Sequence, residues 1–190
     1  MNVFNLTSYA IAGVWKGFVR WAAVIALSIS VTACVGGIND LVPDQSKVAM
    51  SIAGVGHYGR KIGIPEFFVD GAWGGNASGW GGGGGGYCCV LLPRKIDKPV
   101  MVKVRWETYR SNVDEGRYHE QVVPIHFEVE PGKSSGLNVH FLPGHKVEVW
   151  VTQEWPPGPH YPGPKYPRGP APDYAPLPDE RPARAGEAGQ

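Results

Sequence analysis

The histidines offer the first candidates for chemistry. The chain has six, and His126 and His140 fall in the outward phase of two alternating segments, where they could lie close together. With Glu128 nearby, two imidazoles and a carboxylate make a donor set that binds transition metals. No histidine or cysteine pair has the fixed spacing of a metal-binding motif, however, and histidines that face solvent on strands are common. We therefore predict no metal site and no cofactor.

A nucleophilic enzyme would need a serine or cysteine with a base held in reach. Ser78 lies among glycines without a Gly-x-Ser-x-Gly motif, and Cys88 and Cys89 lie in an apolar run with no charged neighbour to activate a thiol. The glycine tract 81–86 lacks the Gly-Lys-Ser/Thr ending of a phosphate loop and precedes a strand-like run rather than a helix. The sequence predicts no catalytic residue and no enzyme.

The segment 67–89 combines aromatic residues with glycines. Ten glycines lie between positions 71 and 86, and ordering them would cost so much conformational entropy that we expect a loop rather than a strand. Aromatic side chains held around such a loop could stack on a sugar or clamp a protein partner. Alternatively, Trp73 packs back onto the sheet as a hydrophobic plug, and the polar residues cap turns. The predicted partner-binding loop consists of Asp70, Trp73, Asn76, Trp80 and Tyr87.

The body of the chain shows the alternation of strands. Val100, Val102, Val104 and Trp106 fall in one phase, while charged residues occupy the other, so one face of this strand is buried. Residues 110–120 are polar and predict a hairpin or loop. The fold class predicted is all-β, a single small antiparallel sandwich or partly open barrel. The predicted strands span 48–55, 66–70, 87–92, 100–106, 125–129, 137–141 and 147–151.

Residues 1–33 have the pattern of an export signal. They contain no acidic residue, and Lys16 and Arg20 precede an apolar run of about 12 residues that ends in Val-Thr-Ala before Cys34. This ending resembles a bacterial lipobox, in which the cysteine is lipidated with fatty acids such as palmitate. An uncleaved membrane helix is the alternative, although the apolar run is at or below the ~17–25 residues that span a bilayer. Because valine follows Cys34, resemblance to lipoprotein sorting implies the periplasmic face of the outer membrane.

The sequence leaves two chemical states open for the remaining two cysteines. Adjacent strand residues face opposite sides, so Cys88 and Cys89 would ordinarily be separate thiols. With Cys34 lipidated, they are the thiols available for an intrachain bond, and an exported chain meets an oxidising compartment. A vicinal disulfide would interrupt the strand locally.

The composition changes after Trp155. Eleven prolines and almost no aliphatic residues follow, which predicts a Pro-rich disordered tail over 156–190. The remaining boundaries are a linker over 34–45 and a β domain over 46–155. A chain starting at Cys34 has 16 basic and 17 acidic residues, and without a basic stripe we expect no nucleic-acid partner.

Several motifs together resemble one family. They are Val-Asp-Gly-Ala-Trp-Gly-Gly-Asn over 69–76, Cys-Cys-Val-Leu-Leu-Pro-Arg over 88–94, Val-Lys-Val-Arg-Trp over 102–106, Val-His-Phe-Leu-Pro over 139–143 and Tyr-Pro-Gly-Pro over 161–164. This combination, running from about residue 53 to 164, is similar to an uncharacterised family of proteobacterial lipoproteins, domain of unknown function 3304. Members are often encoded near type VI secretion lipase effectors. The resemblance therefore implies a periplasmic immunity protein that docks on such an effector.

Two further functions fit the sequence. The chain could be a structural or envelope-associated lipoprotein that uses its tail as a spacer. It could instead be a carbohydrate-binding sandwich that uses Trp73, Trp80 and Trp150. The expected partners are thus a membrane, reached through the lipid anchor, and a protein.

Overall fold

A computed structural model describes residues 44–180 with the exception of Gly84 and Ser135. The described residues from Gln45 to Glu180 belong to one compact unit. The predicted signal peptide, the lipidation site Cys34 and most of the predicted linker lie outside the described residues. In the described part of the chain, no helix is long and apolar enough to span a membrane.

The described residues form nine strands and two single turns of 3₁₀-helix, at Pro131–Lys133 and Pro178–Glu180. The strands are β1 Lys47–His57, β2 Ile62–Val69, β3 Ala72–Ser78, β4 Trp80–Gly82, β5 Tyr87–Pro93, β6 Met101–Arg110, β7 Glu115–Phe127, β8 Gly136–Leu142 and β9 Lys146–Thr152.

The strands form one nearly closed, barrel-like sheet. Their order is β3-β2-β6-β7-β9-β8-β1-β4, and β5 also pairs with β1. The predicted all-β class with a partly open barrel is confirmed. The pairing is mixed rather than purely antiparallel, because β1 runs parallel to β8 and β7 runs parallel to β9.

The barrel interior is filled by the inward residues of the alternating strands. Along β6, Val102, Val104 and Trp106 are at most 1% exposed, as their phase predicts. The ring of Phe141 lies 5.1 Å from that of Phe67 and 5.8 Å from that of Trp106. These three rings are the largest fully buried side chains, and burying each stabilises the fold by about 1.5–3 kcal/mol.

The glycine-rich segment is mostly strand, so its prediction as a loop is wrong. It contains β3 and β4. Its glycines leave space for neighbouring groups and do not make the segment a flexible loop. A Cβ at Gly74 would overlap the ring of Phe67, and one at Gly75 would overlap that of Tyr87. Only residues without a side chain fit a sheet that passes so close to aromatic rings.

The polar segment over 110–120, which we predicted to be a hairpin or loop, belongs to the hairpin formed by β6 and β7. β7 begins at Glu115 and pairs with β6 through the register Arg110↔Glu115. Exposed residues alternate with half-buried ones along β7, but both sets contain polar residues, so the hydrophobicity of the sequence does not show this period of two.

The predicted disorder of the tail is wrong for residues 156–180. The phenol of Tyr161 lies 2.6 Å from His140 Nε2, and the Gly82 N–H donates to the phenol of Tyr166 at 2.9 Å. The guanidinium of Arg60 donates two hydrogen bonds, of 2.6 and 2.8 Å, to Asp173. Tyrosine and acidic side chains along the proline-rich segment therefore fix it by pairing with groups of the β domain.

This segment forms a second layer over part of the sheet. In the register, Asn138 and His140 of β8 lie beside Ala53 and Val55 of β1, on the face away from the barrel interior. All four are at most 7% exposed. We call this region, the outer side of β1, β8 and β9, the covered face.

Candidate functional site

The five residues predicted for the partner-binding loop do not form one cluster. Asp70 accepts a hydrogen bond from the Lys103 N–H at 2.8 Å, so it holds the turn between β2 and β3. The Trp80 indole N–H donates to the Gly169 carbonyl at 3.3 Å, which commits this half-buried residue to the C-terminal segment. The other three predicted residues are Trp73, Asn76 and Tyr87, of which Trp73 and Asn76 are exposed.

Trp73 and Tyr87 form a supported aromatic pair. Their ring centroids are 4.6 Å apart with an interplanar angle of 60°. Tyr87 packs over Gly75, which has φ of +87° and no room for a side chain. Trp73 nevertheless remains 46% exposed. A large aromatic side chain is thus held in one position while much of its surface stays in solvent.

A row of side chains extends from Trp73 across the sheet. In the register, Trp73 lies beside Phe68, Phe68 beside Arg105, and Arg105 beside Glu120. The Arg105 guanidinium carbon lies 4.7 Å from the centroid of the Phe68 ring, within the range of a cation–π contact. Trp, Arg and Tyr are the residue types most enriched at binding hot spots.

Apolar side chains surround this row on the outer side of β2, β3, β6 and β7. Met101 is 51% exposed, Tyr118 69% and Val122 61%. Unlike the covered face, this side has no overlying segment in the described part of the chain. Exposed aromatic and methionine side chains beside arginine are typical of protein interfaces. We call the surface formed by Phe68, Trp73, Met101, Arg105, Tyr118 and Val122 the open face.

A disulfide lies next to the aromatic pair. Cys88 and Cys89, which directly follow Tyr87, are bonded to each other, and the peptide between them is cis. Cys88 is exposed and Cys89 is half-buried. The vicinal bond that the sequence left open is therefore the state found in the structure, and neither cysteine is a free thiol.

The histidines predicted as neighbours lie on strands separated by β9. His126 pairs in register with Trp150 of β9 and stacks on its indole at 4.5 Å. His140 is fully buried on the covered face, so its expected exposure to solvent is wrong. Its Nδ1 lies 2.9 Å from Nε2 of His57, a contact between residues 83 positions apart that no local pattern predicts. Within the described residues, no group of three or more His, Cys, Asp or Glu side chains is placed to hold a metal ion.

Burial controls the protonation of this histidine pair. Burial, with a smaller effect from the neighbouring His57, lowers the pKa of His140 to about 3. Burial also lowers the pKa of His57, although Glu148 opposes the shift. Burial raises the pKa of the Tyr161 phenol. The chain His57–His140–Tyr161 is therefore neutral near pH 7 and joins the sheet to its second layer.

A second polar cluster anchors the end of the C-terminal segment. Glu180 is 3% exposed, and its carboxylate accepts from Tyr174 at 2.6 Å and lies 2.8 Å from His145 Nε2. Burial disfavours its charge, but the hydrogen bonds from Tyr174, the Leu177 N–H and His145 prevail and lower its pKa to about 2. His119 stacks on His145 at 4.0 Å.

Neither Ser78 nor Thr108 is placed to act as a nucleophile. Ser78 donates to the backbone carbonyls of Trp80 and Gly82. Thr108 lies 2.9 Å from His119 Nε2, but it is 2% exposed and substrate would not reach it. The geometry of these two residues therefore favours structural roles.

Five residues of the open face, Phe68 and the four discussed below, were missed by the sequence reasoning as site residues. Met101 and Arg105 fall in the outward phase of β6, which was a signal for exposure but not for binding. Tyr118 lay in the segment predicted to be a hairpin or loop, and Val122 lay outside every predicted strand. Their proximity depends on the antiparallel register of β6 and β7.

Comparison with known proteins gives a match to one family model but does not indicate an activity. No curated protein and no solved structure matches the chain. A family model described as a protein of unknown function (DUF3304) matches residues 59–149. The match begins after β1, includes all of β2–β8 and ends within β9. The resemblance noted in the motifs is thus confirmed for residues 59–149, which match the model of the DUF3304 family of unknown function.

Proposed function

We propose that this protein is a binding protein that docks a protein partner through the open face. The observation that carries the proposal is the exposure of Trp73, which is 46% accessible although its ring is supported by Tyr87 at 4.6 Å. A supported ring loses little conformational entropy on binding and brings a large apolar area. Such a residue is suited to be the central contact of an interface.

The surroundings of Trp73 fit a protein interface. Arg105 supplies hydrogen-bond donors beside the aromatic row, and Met101 and Val122 extend the apolar area. Between Met101 and Arg105 on β6, Lys103 lies 3.5 Å from Glu120 in an exposed ion pair. Apolar and charged side chains are thus mixed on this face, as they are in non-obligate interfaces.

The export pattern supports a location, and the family resemblance implies a class of partner. A lipid anchor at Cys34 would hold the domain at the periplasmic face of the outer membrane. The partner we propose is a type VI secretion lipase effector, which makes the protein an immunity-type lipoprotein. Neutralisation would act by occluding the effector, and would need neither catalysis nor a cofactor from this chain.

The other two functions receive less support. A free spacer does not fit residues 156–180, which contact the β domain through Tyr161, Asp173 and Glu180. A sugar site built from Trp73, Trp80 and Trp150 does not fit either. Trp80 bonds to Gly169, and Trp150 stacks on His126 and donates to Glu148 at 3.1 Å.

Co-expression tests the proposed function. A candidate type VI secretion lipase effector is directed to the periplasm with wild-type protein, with Trp73→Ala, or with Val113→Ala as control. Val113 is 49% exposed in the turn between β6 and β7, away from the open face. We expect wild type and Val113→Ala to protect growth and Trp73→Ala to fail. Absence of protection by wild type, together with no co-purification, would reject the effector as partner.

A further inference from the structure

The disulfide between Cys88 and Cys89 lies in a bulge of β5. In the register with β1, Val90 lies opposite Met50. Tyr87, three positions earlier on β5, lies opposite a residue only two positions further along β1. The two cysteines therefore share the place opposite one residue of β1, which is the arrangement of a β-bulge. Because successive side chains of a regular strand point to opposite faces, two adjacent sulfurs can bond to each other only where this alternation is interrupted.

The bulge determines the position of Tyr87. It lies opposite Ile52, whereas the register of the rest of β5 would place it opposite Ala53. A shift of one residue also turns a side chain to the other face of the sheet. Tyr87 is the residue that supports Trp73, with 4.6 Å between the ring centroids. The support of Trp73 therefore depends on the bulge that contains the disulfide.

The chain before Tyr87 is long enough to let this residue move. Between Gly82 and Tyr87, four residues run beside only two residues of β1. Apart from its chain neighbours, a Cβ at Gly86 would meet no atom of the described residues within 4 Å. A Cβ at Gly85 would meet only the Cβ of Ala53, at 3.9 Å. Close packing does not hold these two glycines, so one more residue can be drawn into β5.

We propose that the disulfide is a redox modification site for a dithiol oxidoreductase, and that its reduction weakens partner binding at the open face. This inference rests on the proposed function, because it concerns the regulation of that same surface. Cys88 is exposed and Cys89 is half-buried, so a reductant reaches the pair from solvent. Once the sulfurs are separate, the strand alternation no longer has to be interrupted, and Tyr87 moves away from Trp73.

The exchange consumes one dithiol for each disulfide. A thiolate of the reductant attacks the sulfur of Cys88, forms a mixed disulfide and releases Cys89 as a thiolate. The second thiolate of the reductant then attacks the reductant's own sulfur in the mixed disulfide and releases Cys88. Both cysteines take up the protons that the dithiol has lost. Two electrons pass to the cysteine pair, and the reductant leaves as a disulfide.

NMR tests the site without any partner. In the full chain with Cys34→Ala, Cys88 and Cys89 are the only cysteines, and dithiothreitol serves as the dithiol. After reduction we expect both thiols to be alkylated and the nuclear Overhauser contact between the Trp73 and Tyr87 rings to be lost. The signals of the buried valines of β6 should remain. The double variant Cys88→Ser/Cys89→Ser in the same background should show this pattern with or without dithiothreitol.

Three results would overturn the proposal. The first is a Trp73–Tyr87 contact that persists in the reduced chain and in the double variant, because the disulfide would then not position Tyr87. The second is a disulfide that dithiothreitol does not reduce in the folded chain. The third is loss of the valine signals of β6 on reduction, because the disulfide would then stabilise the whole fold rather than one strand end.

Calorimetry separates this inference from the proposed function, with a partner that the co-expression assay identifies. We expect the reduced chain to bind at least about tenfold more weakly than the oxidised chain. Equal affinities of these two forms, with weaker binding by Trp73→Ala, would overturn the redox control and retain the proposed function. Equal affinities of wild type and Trp73→Ala would reject the proposed function, and the NMR contact would then decide whether the disulfide positions Tyr87.

Discussion

His140 and Tyr161 are joined by a hydrogen bond of 2.6 Å between Nε2 and the phenol oxygen. His140 is fully buried, so the bond joins the outer side of the sheet to the proline-rich segment that covers it. Through this bond, a segment with the composition of a disordered tail packs on the sheet as a layer of the structure. It also leads to a direct prediction.

Removing the Tyr161 hydroxyl should destabilise the protein. Tyr161→Phe leaves His140 Nε2 buried without its partner, and we expect a loss of about 1–3 kcal/mol in the free energy of unfolding. Urea denaturation measures this loss. Tyr118→Phe is the matched control, because Tyr118 is 69% exposed and should change stability by less than about 0.5 kcal/mol. Equal effects of the two substitutions would show that the segment is not held by this bond.

The histidines should make stability fall in mild acid. Burial, aided by the neighbouring His145, lowers the pKa of His119 to about 4, and burial lowers that of His140 to about 3. The unfolded chain, with histidine pKa values near 6.5, therefore binds more protons than the folded chain below that pH. The free energy of unfolding should thus decrease as the pH falls from 6.5 towards 3. His119→Gln should reduce this slope, and an unchanged slope would contradict the assignment.

Glu180 should contribute in a more acidic window. Its folded pKa of about 2 lies below the ordinary value of 4.5, so its contribution is complete above pH 4.5 and is lost as the pH falls towards 2. Glu180→Gln should be less stable than wild type at pH 7 and should lack this part of the acid dependence. Chemical denaturation at pH 5, 4 and 3 measures the difference. Parallel curves for the two proteins would mean that Glu180 does not anchor the segment.

Gly75 should be intolerant of a side chain. In Gly75→Ala, the Cβ overlaps the Tyr87 ring at a position with φ of +87°. Gly71→Ala has nearly the same φ, +85°, with nothing within 4 Å, so it isolates the strain of about 1–2 kcal/mol per left-handed residue. We expect Gly75→Ala to cost clearly more than Gly71→Ala in thermal or urea unfolding, and to disturb the Trp73–Tyr87 pair. Equal costs would show that Tyr87 does not pack over Gly75.

Much of the sheet could be predicted because buried apolar residues and exposed residues alternate along its strands. Val102, Val104 and Trp106 fill the interior while the residues between them face outward. β3 and β4 were missed because glycine has a low strand propensity. Their conformation depends instead on the rings of Phe67 and Tyr87, which reach them only in the folded sheet.

The site was predicted in part. The sequence indicated Trp73 and Tyr87, and the structure brings them together. Trp80 could not be placed, because its role depends on a contact with Gly169, 89 residues away. The contribution of Tyr118 and Val122 depends on the β6–β7 register, which local sequence does not encode.

The central claim is that Trp73 is the main contact with a protein partner. Calorimetric titration of purified protein with a candidate lipase effector that the co-expression assay identifies as a partner measures this contact directly. Trp73→Ala should raise Kd at least about tenfold, or about 1.4 kcal/mol, while Val113→Ala binds as wild type and both variants keep the wild-type unfolding midpoint. Wild-type affinity in Trp73→Ala would contradict the account.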